Sequence, residues 1–170
     1  MYECIQSEDS KVLKDKHLWF YFIIVAVVAV IAGIIIGKGF QSPEFRNLNK
    51  PSWIPSSTLF IIIWSLIYIF IAYVWYLADK ATSSKTPINI LFGLNLFLNV
   101  AWVYVFFNVV NISASLTVMI LLIILTAYMI WSLKKIINVS LLYLYLIWLL
   151  VIFFLNLQIY MENPRDLSVG

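Results

Sequence analysis

From Thr86 to Leu133 no residue of this chain carries a charge, and that run constrains the fold more than any other feature. It is more than twice the roughly 20 apolar residues that cross the hydrocarbon of a bilayer. It therefore holds two crossings, and the break between them falls near Asn108, Asn111 and Ser113, where small polar residues cluster. Two spans follow, at about 88–107 and 112–132. Charge-free stretches at about 18–37, 58–78 and 139–160 bring the count to five. Composition agrees: of 170 residues, 64% are hydrophobic and 11% charged, against about 45–50% and 25% in soluble domains. Too little chain remains for a soluble head. The expected class is an all-α membrane protein, a five-transmembrane-helix bundle in a multi-pass integral membrane chain.

The remaining segments fit this division. Residues 1–17 form a polar tail of mixed sign, and the apolar run behind it is too long for a cleaved signal, so the first span is expected to stay. Residues 38–57 hold Pro43, Pro51 and Pro55 and read as a loop, because regular helix interiors exclude proline. Pro87 fits the first turn of the third span. The last span ends at about 160–162, and 163–170 is a short tail. On the N-terminal side lie Lys11, Lys14, Lys16, Lys80, Lys85, Lys134 and Lys135; on the other lie Lys38, Arg46, Lys50 and Arg165. The excess of lysine places the N-terminus in the cytoplasm.

Several function classes drop out. A net charge of +3 offers no basic stripe for nucleic acid. One cysteine (Cys4) and one histidine (His17) supply neither a disulfide framework nor a metal cluster, and no cofactor is expected. The five spans contain no ionisable acid, base or histidine, the groups that mark proton relays and intramembrane acid–base chemistry. On the same ground conventional hydrolysis is not expected.

What the spans do offer is indole, phenol and carboxamide. Asn95, Asn99, Trp102 and Phe106 recur at helical spacing on one face of the third span. Tyr145, Trp148, Ile152 and Asn156 do so on the fifth, and Trp64 and Tyr68 pair on the second. Three such stripes suit the walls of one cavity between helices. The same amides are equally suited to hydrogen-bonding neighbouring helices, and tryptophans at span ends commonly form interfacial belts. Ala29, Gly33 and Gly37 make a small-residue face on the first span, fit for close packing within the bundle or across a dimer.

These residues resemble a known family. The loop sequence L-N-K-P-S-W-I-P at 48–55, followed by Phe60, Trp64 and Tyr68, looks like the loop and second helix of the translocator protein/tryptophan-rich sensory protein (TspO/MBR) family. Asn95, Asn99 and Trp102 followed by Phe106 and Phe107, then Tyr145, Trp148, Leu155, Asn156 and Asn163-Pro164, continue the pattern in order. The resemblance covers about residues 33–164. It implies a five-helix bundle, often a homodimer, that binds porphyrin or heme-type tetrapyrroles in transport, sensing or homeostasis. In some members it also implies sterol and other flat apolar ligands. Carried over by position, the pocket would use Trp64, Tyr68, Asn99, Trp102, Phe106, Tyr145, Trp148 and Ile152, with Pro51, Trp53 and Pro55 in a lid loop. It further implies light-dependent porphyrin degradation through Trp64 and Trp148, or, alternatively, a structural or regulatory role for a vestigial pocket. Prokaryotic members lie in the cell membrane.

The chain also departs from the family. Pro55-Ser56 replaces Pro-Pro, implying a looser lid. Leu144 replaces a proline, removing a cause of kinking. Ile152 replaces a small residue and is expected to narrow the cavity. Leu157, Tyr160 and Arg165 satisfy a loose sterol motif.

Overall fold

The computed structural model describes residues 15–164. Among these there is no strand. Cys4, Lys11, Lys14 and the Arg165 of the sterol motif lie outside the described residues.

Helix α1 (Lys16–Gly39) starts at Asp15, whose carboxylate accepts from the backbone N–H of His17 at 2.9 Å. A single turn, α2 (Pro43–Arg46), interrupts the loop with proline in its first turn and Ser42 as its cap. Helix α3 (Ser57–Ala81) is capped by Ser56, whose hydroxyl accepts from the Leu59 N–H at 3.3 Å. The serine that departs from the family's Pro-Pro thus satisfies one of the free N–H groups at a helix start. Asp79 and Lys80 continue α3 beyond the expected span, so Asp79 is buried and paired with Lys85 at 3.1 Å.

Helix α4 (Lys85–Tyr104) passes into a π-helical turn over Val105–Val109. Val110 then adopts a left-handed conformation with φ 54°, and Asn111 caps α5 (Ile112–Leu133) through the Ala114 N–H at 2.9 Å. The polar cluster at the expected break is therefore a cap together with a wide turn. Helix α6 (Ser140–Glu162) completes the chain. Five helical segments are long and apolar enough to cross a membrane, with mean hydropathies of 2.0 to 2.9.

The helices close into a ring in the order α1, α3, α6, α5, α4, with α3 and α4 also meeting across it. Side chains such as Val30, Ile69, Phe97, Ile124 and Phe154 project outward, the faces that meet lipid in a five-span protein. At the end holding Asp15, its carboxylate pairs with Lys80 and accepts from the Tyr76 hydroxyl at 3.0 Å. The Lys80 ammonium, then the His17 N–H, hold the Asp15 carboxyl down at about 2.

Among the described glycines, the tight contact is at Gly39, beyond the expected small-residue face. Gly33 and Gly37 have nothing near the position a Cβ would take, whereas a Cβ at Gly39 would collide with the Phe107 Cβ. Gly39 is the residue that lets α1 touch the π turn. Gly39→Ala should cost about 1–3 kcal/mol through overpacking. Val110→Gly should gain about 1 kcal/mol by relieving a β-branched side chain in the left-handed region. Thermal unfolding in detergent checks both, with Tm falling for the first and rising for the second.

Candidate binding site

The three polar–aromatic stripes face inward together. Trp64 and Tyr68 on α3, Asn99, Trp102 and Phe106 on α4 and its π turn, and Tyr145 and Ile152 on α6 are all buried, while Trp148 is half-buried. Trp102 lies at the centre. It stacks on Trp64 (ring centroids 5.9 Å, 28°), on Phe106 (5.2 Å, 17°) and on Phe60 (6.3 Å, 24°). Trp148 meets the edges of Trp64 at 6.4 Å and Phe60 at 6.0 Å. Each such ring pair contributes about 0.5–1.5 kcal/mol beyond the area it buries.

Beside the rings lies an amide network that ties three helices. The Asn95 side-chain N–H2 donates to Thr126 Oγ1 of α5 at 3.2 Å. Tyr145 of α6 donates to Asn95 Oδ1 at 3.3 Å and accepts from Asn99 Nδ2 at 2.8 Å. Asn99 Nδ2 also reaches the Asn95 carbonyl at 3.0 Å. Farther along, Ser115 of α5 donates to Asn156 Oδ1 at 3.0 Å. Asn95 and Asn156 thus bond their neighbours, one of the two roles their spacing allowed.

The satisfied network ends abruptly at the rings. Trp64 Nε1, Trp102 Nε1, Trp148 Nε1, the Tyr68 hydroxyl and Asn99 Oδ1 are buried without a hydrogen-bond partner. Buried polar atoms ordinarily find partners, and an unsatisfied one costs about 1–3 kcal/mol. Four donors and one acceptor of this kind, gathered around one aromatic nucleus, suit an apolar ligand with polar edges. The rings fill the nucleus themselves, so a flat ligand must part them and exchange one stack for another.

The loop covers this end of the bundle. Its inward residue is Phe45 of α2, which packs against Phe106 at 5.6 Å and Phe107 at 5.0 Å. Pro51 is buried and Pro55 half-buried. Trp53 is 46% exposed and turns outward onto α6, its indole N–H donating to Gln158 Oε1 at 2.9 Å. Asn49 and Asn163 exchange side-chain and backbone hydrogen bonds of 2.9 Å each, so the loop is fastened to the end of α6. Lys50 donates to the carbonyls of Phe45, Arg46 and Leu48 at 2.7–2.8 Å, and partial burial lowers its pKa. Sequence reasoning does not single out Phe45 or Gln158. The available signals were a lone aromatic between Glu44 and Arg46, and an amide in the last apolar run.

The TspO/MBR family profile matches residues 21–161. The chain belongs to the TspO/MBR family. It is 31% identical over 150 residues to the tryptophan-rich protein TspO of Archaeoglobus fulgidus, covering 83% of this chain and 96% of that protein. The TspO of Chlorobaculum tepidum is 26% identical over 154 residues, covering 82% and 98%. Protein CrtK of Rhodobacter capsulatus is 23% identical over 156 residues, covering 88% and 94%. A five-span integral membrane protein of this family is therefore established.

Asn95→Leu should leave Thr126 and the Tyr145 hydroxyl short of a partner inside the bundle. The expected loss is about 1–2 kcal/mol, the upper range for interhelical hydrogen bonds in membranes. Unfolding in a mixed-detergent titration measures it.

Proposed function

We propose that the protein binds a tetrapyrrole of the protoporphyrin or heme type within the cluster of Trp64, Tyr68, Asn99, Trp102, Phe106, Tyr145, Trp148 and Ile152. The observation that carries this reading is the set of unpartnered donors around stacked indoles. A porphyrin is a flat apolar disc with polar edge groups. Its face replaces one ring in the stack, while its edge accepts from Trp64, Trp102, Trp148 and Tyr68. Ile152, fully buried on the Tyr145 face of α6, limits the space left for larger ligands. Phe45 and the loop fastened at Asn49–Asn163 keep water from the site. The role is ligand binding in transport, sensing or homeostasis, and the bound form belongs to a homodimer in the membrane.

Protoporphyrin titrated into the detergent-solubilised protein should quench tryptophan emission saturably. Trp64→Phe/Trp148→Phe should weaken binding at least about tenfold, since two hydrogen-bond donors and two stacking faces change together. Unchanged affinity in that variant would sink the reading.

The lysine excess at the Asp15 end supports a cytoplasmic N-terminus. An impermeant thiol reagent applied to intact cells should leave Cys4 unmodified and label it only after lysis.

A further inference from the structure

Free space beside the aromatic nucleus lies on its α1 side. One cavity of about 240 Å³ is lined by Phe22, Val25, Ala29, Ser65, Tyr68 and Ala72 among others. A second, narrow one of about 10 Å³ adjoins it through Ala29, Ser65 and Tyr68 and is nearly closed by Gly33, Trp64 and Ile36. The larger follows the seam between α1 and α3. It runs beside α1 from Phe22 to Val30, or about 12 Å of helix. Val30 and Ile69, two outward side chains, stand at its rim and open it toward lipid.

Three observations define what would fill it. The walls are apolar, and Asp, Glu, Lys, Arg and His are absent from the lining, so a charged group has no partner there. Ala26, Ala29, Ser65 and Ala72 line the larger cavity, so the room comes from short side chains. Tyr68 is 4% exposed, lines both cavities, and its hydroxyl has no hydrogen-bond partner. Its position, midway along α3, sets that donor deep in the hydrocarbon. A lipid with a large headgroup would be held at the interface, away from it.

We propose that the α1–α3 seam is a second binding site, which shares only the Tyr68 hydroxyl with the ring cluster. It takes a neutral, elongated molecule dissolved in the bilayer interior, with one carbonyl-type oxygen that accepts from Tyr68. The molecule enters sideways from the membrane, lies along Ala26 and Ala29, and ends against Tyr68, next to the aromatic nucleus.

The test uses the full chain in phosphatidylcholine vesicles and a diazirine-bearing long-chain methyl ketone as photolabel. Adducts should be saturable and concentrated on Phe22, Ala26, Ala29 and Ile69. An unlabelled methyl ketone should compete about fivefold better than an alkane of equal length, the worth of one hydrogen bond. Tyr68→Phe should erase that difference. Ala29→Leu, which fills the seam and should leave thermal stability unchanged or raised, should remove the saturable adducts while protoporphyrin quenching persists. Loss of quenching in the Trp64→Phe/Trp148→Phe protein bears on the ring cluster alone, so the two sites fail separately. Adducts spread over the outer faces of α5 and α6 without saturation would overturn the proposal. So would an Ala29→Leu protein that labels like the parent, or one that changes from dimer to monomer, which would assign the seam to a second copy of the chain.

Discussion

Inside a bilayer a polar side chain has no water as an alternative partner, and this constraint orders the whole bundle. Thr126, Asn95, Tyr145 and Asn99 answer it by bonding to one another, and in doing so they join α4, α5 and α6. Ser115 and Asn156 add a second tie between α5 and α6. Between α1 and α3 the polar ties of Asp15 to Tyr76 and Lys80 lie at one end, and farther along apolar and small residues meet. Because lipid tails are as apolar as leucine, hydrophobic burial hardly presses helices together within the membrane. Contact there depends on shape alone. The polar half of the ring is well filled, and the apolar half keeps the free space.

The aromatic nucleus is a compromise between two demands. Stacking of Trp64, Trp102, Phe106 and Phe60 holds the centre of the ring closed. The unpartnered indole nitrogens and the Tyr68 hydroxyl tax that closed state, since each is a donor left without an acceptor. A core selected only for stability would carry phenylalanine at these positions. Indole and phenol keep much of the packing and add hydrogen-bonding capacity that the folded chain itself leaves unused.

The five crossings were legible because their signal is long: charge-free runs separated by proline, lysine and small polar residues. The inward stripes were legible too, since Asn95, Asn99 and Trp102 fall on one helical face and a buried amide has little choice of direction. The order of helices around the ring was not, because apolar faces carry no address and each span is hydrophobic on nearly every side. Within the chain, the glycine in tight contact is Gly39, not Gly33 or Gly37, and what matters there is the Phe107 Cβ, invisible from α1's own sequence. The role of Phe45 depends on a loop that folds back over Phe106 and Phe107, and local pattern does not encode such a return.

The π turn at Val105–Val109 carries a consequence for how such a chain can vary. Widening one turn reduces the angle between neighbours, so the adjacent rings of Phe106 and Phe107 both point inward, and both meet Trp102 and Phe45. A regular α-helix would rotate them farther apart. The extra residue is then a fixed part of the chain's spacing, and deleting any one position between 104 and 110 would rotate everything upstream relative to α5. Lipid-facing side chains can change among apolar types at little cost, but here the length of the backbone is fixed by the geometry of the turn.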